Sequence, residues 1–311
     1  MKRRRLLQLL GWGLLGGGAG RLGAGVNAAG AQLQPNAPST PPPPPPNLPA
    51  ATPLPRLHVL VTADFGSGNR QQRSVAGQMA ALHRRDPVDL VILGGDNIYA
   101  GPGWRDGDLK GVAATFERPY RELIASGVPF HAVLGNHDIR TANGNPQLSY
   151  PGFGMKGRWY GVRRGPVEFF MLDTNGNTDW TRQLRWLDGA LMASSAPWKV
   201  VVGHHPIYSA GHYGDDARLI ARLGPILARH GVQLYINGHE HNYERTRAIA
   251  GTTYLTVGGG GASLRPVTAN SRTARAASVH SFVELIVNER SLTINGIDSQ
   301  GQLLDTATLR R

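Results

Sequence analysis

The sequence predicts an α/β layered fold with a strand-rich C-terminal third. Two observations carry that reading. From Arg56 onward, apolar runs of strand length alternate with longer helix-like segments, and beyond Gly251 such runs follow one another without helices between them. With 311 residues, 41% of them hydrophobic and 17% charged, the chain can bury a full core in one large domain or two small ones.

The expected strands lie at residues 57–63, 88–93, 129–134, 167–172, 199–202 and 232–236, each an apolar run rich in Val, Ile and Leu. The expected helices lie between them at 71–85, 115–126, 181–193 and 216–230. The late strands are expected at 254–257, 281–287, 292–297 and 303–307. No internal repeat is visible.

Two segments precede this domain. Residues 1–31 join a basic start (Lys2, Arg3, Arg4, Arg5), an apolar stretch from Leu6 to Leu15 and a small-residue site, Ala29-Gly30-Ala31, which is the three-part logic of a secretory signal peptide. The apolar stretch is short and Gly-rich against the roughly 20 apolar residues of a bilayer span, so no stable membrane span is expected after processing. A retained anchor is the competing reading. Arg3-Arg4-Arg5-Leu6-Leu7 resembles the bacterial twin-arginine export signal, with the Sec route as the alternative, so the expected location is periplasmic or extracellular. Residues 32–55 carry six consecutive prolines, Pro41 to Pro46, and read as a stiff, solvated proline-rich linker. Residues 56–311 are left as the catalytic domain.

The formal charge is +12, and setting aside Lys2, Arg3, Arg4, Arg5 and Arg21 leaves about +7. Such a surplus favours anionic substrates by long-range attraction. No basic run is interleaved with aromatics, so a specific nucleic-acid partner is not expected. Cysteine is absent, which excludes disulfides, thiolate metal sites and cysteine nucleophiles. Any metal must be held by oxygen and imidazole nitrogen.

In open α/β sheets, ligands gather beyond the carboxyl ends of strands. Five expected strands end in polar clusters there: Asp64; Asp96 and Tyr99; Asn136, His137 and Asp138; His204 and His205; His239, Glu240 and His241. Glycines adjoin nearly every cluster and permit the tight turns that swing short side chains onto a shared ion. A lone Asp after a strand is often a helix cap and a lone His a surface residue; His58, His83, His131, His230 and His280 take that reading. Recurrence at five strand ends is a different matter.

Asp-x-Gly, Gly-Asp-x-x-Tyr, Gly-Asn-His-Asp, Gly-His and Gly-His-x-His, in that order between residues 56 and 260, resemble the signature of the calcineurin-like metallophosphoesterases. Tyr99, three residues after the second Asp, is similar to purple acid phosphatases, the tartrate-resistant type included. The resemblance implies a layered sandwich of two mixed β-sheets flanked by helices. It also implies an exported acid phosphatase that hydrolyses phosphate monoesters, small phosphate esters being its substrates, by attack of a metal-activated hydroxide.

Oxygen donors suit hard, highly charged cations, and imidazole suits borderline divalent ones. Carried over residue by residue, the family pattern makes Asp64, Tyr99 and His241 ligands of a ferric ion. Asn136, His204 and His239 become ligands of a divalent ion (Fe, Zn or Mn), with Asp96 bridging the two. Such a pair clamps phosphate and acidifies a water for in-line attack. His137 and His212 are the candidates for protonating the leaving group, although His212 falls one position early against the family's non-ligand His. Asp138 is expected to orient a ligand imidazole, His205 is left unassigned, and Gly258 to Gly261 read as a flexible loop at the site's rim.

Two other functions compete: a divalent-metal phosphodiesterase or nucleotidase of the same superfamily, and a non-catalytic exported protein that binds phosphate or metal. His239-Glu240-His241 places its imidazoles two apart, unlike His-Glu-x-x-His, and argues against a peptidase. Three departures narrow the resemblance. Only signal and linker precede Arg56, in place of the N-terminal β-domain of the large plant enzymes; the loop after Leu172-Asp173-Thr174 is too short for the repressive loop of mammalian relatives; and no cysteine is available for a disulfide.

Overall fold

The computed structural model describes residues 56–311; the expected signal and proline-rich linker lie outside the described residues. Thirteen strands and five α-helices follow in order: β1 (Leu57–Thr62), α1 (Arg70–Arg85), β2 (Leu90–Leu93), α2 (Arg121–Ala125), β3 (Phe130–Ala132), α3 (Asn145–Leu148), β4 (Tyr160–Arg164), β5 (Val167–Met171), α4 (Trp180–Ala193), β6 (Trp198–Val202), α5 (Ala217–Arg229), β7 (Leu234–Asn237), β8 (Tyr243–Thr246), β9 (Thr253–Val257), β10 (Thr273–Ala277), β11 (Ser281–Val287), β12 (Ser291–Asp298) and β13 (Leu303–Arg310). None of these helices is long and apolar enough to cross a membrane.

The strands form two mixed sheets, ordered β13-β12-β11-β1-β2-β3 and β10-β8-β9-β7-β6-β5-β4. In each sheet a parallel group, β1-β2-β3 or β5-β6-β7-β9, sends its carboxyl ends to one rim. Alternation of side chains along the strands sorts the core into layers. Val59, Val61 and Ile92 of the first sheet join Val200, Val202, Ile236 and Leu255 of the second in a central core. Leu60, Val91 and Leu93 turn outward against Val75, Met79 and Leu82 of α1. Phe170, Val201 and Tyr235 turn outward against α4 and α5 through Leu187, Leu191, Leu219, Leu223 and Leu227. Strands buried on both faces read as unbroken apolar runs.

Four elements depart from the sequence expectation. The single helix expected at 115–126 is instead a π-helical turn, Ala113–Glu117, followed by the short α2. Pro119 lacks the N–H and crowds the preceding turn, which breaks a continuous helix. Strands β4 and β10 are sheet edges, and β10 has only one buried residue, so neither carries an apolar run. Strand β8, Tyr-Glu-Arg-Thr, is polar by sequence yet largely buried.

Candidate metal centre

Asp64 follows β1, Asp96 and Tyr99 follow β2, and Asn136 follows β3; His204 follows β6, and His239 and His241 follow β7. The rims of the two sheets meet, and the seven side chains meet with them. The Tyr99 hydroxyl donates to Asp64 Oδ1 (3.2 Å) and Asp96 Oδ2 (3.0 Å), with His241 Nε2 3.2 Å away. His241 Nε2 also lies 3.4 Å from Asp64 Oδ1. Beside this group, His204 Nε2 sits 3.1 Å from Asn136 Oδ1 and 3.5 Å from Asp96 Oδ2. The His239 ring lies 5.2 Å from that of His204. Asp96 thus touches both groups, one built on Asp64, Tyr99 and His241 and the other on Asn136 and His204.

The imidazoles are aimed from behind. His204 Nδ1 bonds the Gly94 carbonyl (2.9 Å) and His241 Nδ1 the Ser263 carbonyl (2.8 Å). A carbonyl only accepts, so Nδ1 carries the hydrogen and Nε2 is directed to the centre. His239 is held through its backbone, with its N–H donating to Asp64 Oδ2 (2.8 Å) and its carbonyl accepting from Arg265.

Holding short side chains this way strains the backbone. Asp64, Asp96, His239 and His241 adopt φ of 55°, 54°, 69° and 50°, the left-handed region that non-glycine residues avoid and that clusters at functional sites. Adjoining glycines leave room: a β-carbon on Gly135 would overlap Asp96 Oδ1, and one on Gly238 would overlap Asp64 Oδ2. Gly258 to Gly261, expected to be a flexible rim loop, are buried, and each is closely approached by neighbouring atoms, Gly258 by those of the site. A β-carbon on Gly258 would stand 2.8 Å from both Asp64 Oδ2 and the backbone nitrogen of His241. Close approach, rather than flexibility, explains that glycine run.

Asp64 and Asp96 are 0% and 1% exposed, and their ion pairs among the described residues are with imidazoles only. Burying two carboxylates costs several kcal/mol each unless a cation answers them. Burial lowers the His204 pKa, but Asp96 and Asp64 outweigh it and push the imidazole up to about 10. Burial, reinforced by the charges of Asp64 and Asp96, raises Tyr99 well above the usual phenol range. Burial and the neighbouring His204 and His205 push His239 down to about 2. Metal cations would answer the two carboxylates in place of the His204 proton while meeting the same oxygen and nitrogen donors. The donor set fits a pair of cations. Asp64, Asp96 and His241 present ligand atoms within 4.8 Å of one another.

The remaining sequence candidates fall into place around it. The His137 ring lies 4.6 Å from Tyr99, with Nδ1 3.0 Å from Asp106 Oδ1 and its backbone N–H on Asp96 Oδ1. His212 is exposed and reaches the Tyr213 ring at 4.9 Å; Tyr213 itself stacks on His239 at 4.3 Å. His205 sits against His239 (4.6 Å) and bonds Thr174 Oγ1. With Tyr213, Asp216 and His239 it lines a cavity of about 490 Å³. Asp138, expected to orient a ligand imidazole, does something else: fully buried, it accepts from the backbone N–H groups of Asn97, Ile98 and Gly135 and so fixes the Asp96 and Asn136 turns.

Two residues have roles that the sequence did not reveal. Glu240, 0% exposed, accepts from Ser209 Oγ, His212 N and Tyr213 N, and ties the 209–213 loop to the His-x-His turn. Arg265 bonds the opposite side of that turn.

Residues 57–243 match the family described as calcineurin-like phosphoesterase. The chain is similar to purple acid phosphatase 7 of Arabidopsis thaliana, 35% identical over 67% of this chain and 71% of that one. It is also similar to tartrate-resistant acid phosphatase type 5 of Mus musculus, 26% identical over 83% of this chain and 92% of that one. Its fold is that of a purple acid phosphatase from yellow lupin (Lupinus luteus) seeds, with a TM-score of 0.71, 21% identity, and coverage of 83% of this chain and 54% of that one.

Proposed function

We propose a function from one premise: the chain belongs to the calcineurin-like phosphoesterase family and, within it, to the purple acid phosphatases, and is an acid phosphatase acting on phosphate monoesters. The finer reading is an exported enzyme with one ferric and one divalent ion. Asp64, Tyr99 and His241 would hold the ferric ion, Asn136, His204 and His239 the divalent one, and Asp96 would serve both. Two bound cations would neutralise phosphate oxygens and acidify a water for attack on phosphorus. The chain's own groups do the rest. Gly94 and Ser263 carbonyls keep His204 and His241 in the binding tautomer. His137, with Nδ1 3.0 Å from Asp106 Oδ1, would hand a proton to the leaving oxygen. His212, on the loop that Glu240 fixes, is the second candidate for that proton. Export rests on the basic start, apolar stretch and Ala29-Gly30-Ala31 of residues 1–31.

One observation carries the ferric assignment: the Tyr99 hydroxyl oxygen lies within 3.2 Å of Asp64, Asp96 and His241 together. Metal analysis and a visible spectrum of the purified protein test it. The expected result is iron plus a second metal with a visible absorption band, and a Tyr99→Phe variant that keeps metal but loses the band. A colourless protein holding divalent metals alone would overturn the assignment.

A further inference from the structure

Arginines near the centre are mostly engaged by carboxylates: Arg218 pairs with Asp216, Arg272 with Asp215, Arg245 with Asp305 and Arg158 with Asp173. Arg265 pairs with no carboxylate among the described residues, although it is partly buried. Its backbone N–H donates to the His241 carbonyl (3.2 Å) and its Nη1 to the His239 carbonyl (2.5 Å). Its guanidinium carbon lies 4.8 Å from the centre of the Tyr213 ring, the ring that stacks on His239.

A guanidinium has five N–H donors in a fork that matches phosphate oxygens, and the bond to His239 uses one of them. The others have no protein acceptor among the described residues. A cation in this position is anchored by the turn that carries two candidate metal ligands, and it keeps its charge and most of its donors for something else. Phosphomonoesters and phosphodiesters differ in that feature: near neutral pH the monoester carries a second negative charge, with a pKa of about 6, and the diester does not.

We propose that Arg265 reads the second negative charge of a phosphomonoester and so sets the preference of this centre for monoesters over diesters. The inference rests on the phosphatase reading above and adds the residue that discriminates within it. Arg265 would contact the substrate, with the His239 carbonyl fixing the fork and Tyr213 supporting its face.

The test is the ratio of kcat/KM on a mono-aryl phosphate to that on the bis-aryl phosphate of the same phenol, at about pH 7. A ratio cancels any loss of metal or folded protein common to both substrates. Arg265→Gln keeps an N–H for the His239 carbonyl but removes the charge; Arg265→Lys keeps charge without the fork. The expected ratio falls about 10- to 100-fold in Arg265→Gln, the range for a hydrogen bond to a charged group, and falls less in Arg265→Lys. An unchanged ratio in Arg265→Gln overturns the proposal, as does a parallel loss on both substrates together with the visible band, which would make Arg265 a staple of the turn. If the metal-replete wild type hydrolyses neither ester, the phosphatase reading fails, and calorimetric binding of inorganic phosphate still decides Arg265. The same drop in affinity in Arg265→Gln supports it, and equal affinity overturns it.

Discussion

The two sheets contribute different chemistry to one rim. The first supplies oxygen: Asp64, Asp96, Tyr99 and Asn136. The second supplies nitrogen: His204, His239 and His241. Each set is also aimed by the other. His204 of the second sheet is fixed by the Gly94 carbonyl of the first, and Asp64 of the first accepts the His239 N–H of the second. Asn175, after β5, reaches the Leu134 carbonyl on the Asn136 turn. Neither sheet holds a complete site, so the centre exists only where the sheets are docked, and any metal binding would be linked to that docking.

The strongest way to break the division is to remove the residue that both groups share. Asp96→Ala is expected to lose both metal equivalents and about a thousandfold or more of kcat, the upper end for one preorganised charged group. His239→Ala, by contrast, is expected to release only the divalent ion and to keep the band that depends on Tyr99. Metal stoichiometry per chain reads the difference. If Asp96→Ala kept both ions, the shared-ligand arrangement would be wrong.

A smaller change tests the floor on which both sets rest. Gly258→Ala pushes a methyl group toward Asp64 Oδ2 and the backbone nitrogen of His241 at once. Overpacking of this kind costs about 1–3 kcal/mol, and displaced supporting groups typically lower metal affinity about 10- to 100-fold. Gly77→Ala on α1 is the control, since a β-carbon there meets nothing, and a helical alanine should stabilise by about 0.5–1 kcal/mol. Thermal unfolding of the two variants should move in opposite directions, and only Gly258→Ala should weaken metal binding. Equal behaviour would mean that the Gly258 strap is not part of the site.

How far the sequence reveals this arrangement follows from burial. Strands β1, β2, β5, β6 and β7 are covered on both faces, so their apolar runs are legible, and the polar residues that end them stand out by contrast. The edge strands β4 and β10 lack that contrast. Six of the seven candidate ligands stood out because their residue types recur at strand ends, and Tyr99 through its spacing from Asp96, which resembles the family's. Gly258 to Gly261 were misread because a glycine run looks alike whether it bends freely or admits a close neighbour. The roles of Glu240 and Arg265 were invisible because they depend on partners distant in sequence, Ser209 and Tyr213 for one and the His239 carbonyl for the other.

The smallest effect is expected far from the rim, where the same residue types meet without converging donors. His58 lies six residues before Asp64 on β1, about 20 Å along an extended strand. Its Nε2 is 2.9 Å from Glu284 Oε1 and its Nδ1 is 3.1 Å from the Pro87 carbonyl, so both ring nitrogens face acceptors. Burial lowers the His58 pKa, but the Glu284 hydrogen bond and charge outweigh it and the net shift is upward; the His58 hydrogen bond, against burial, holds Glu284 below its usual value. The raised imidazole stabilises the fold below its unfolded pKa of about 6.5, and that stability is lost as pH rises through the higher folded value. The lowered carboxylate contributes above its unfolded pKa of about 4.3 and loses that contribution as pH falls through the lower folded value. The pair therefore contributes most between those limits. Glu284→Gln should lower the unfolding free energy by about 1 kcal/mol near pH 5.5, and the difference from wild type should shrink toward pH 8. A difference that stayed flat or grew with pH would show that His58 is neutral in the fold.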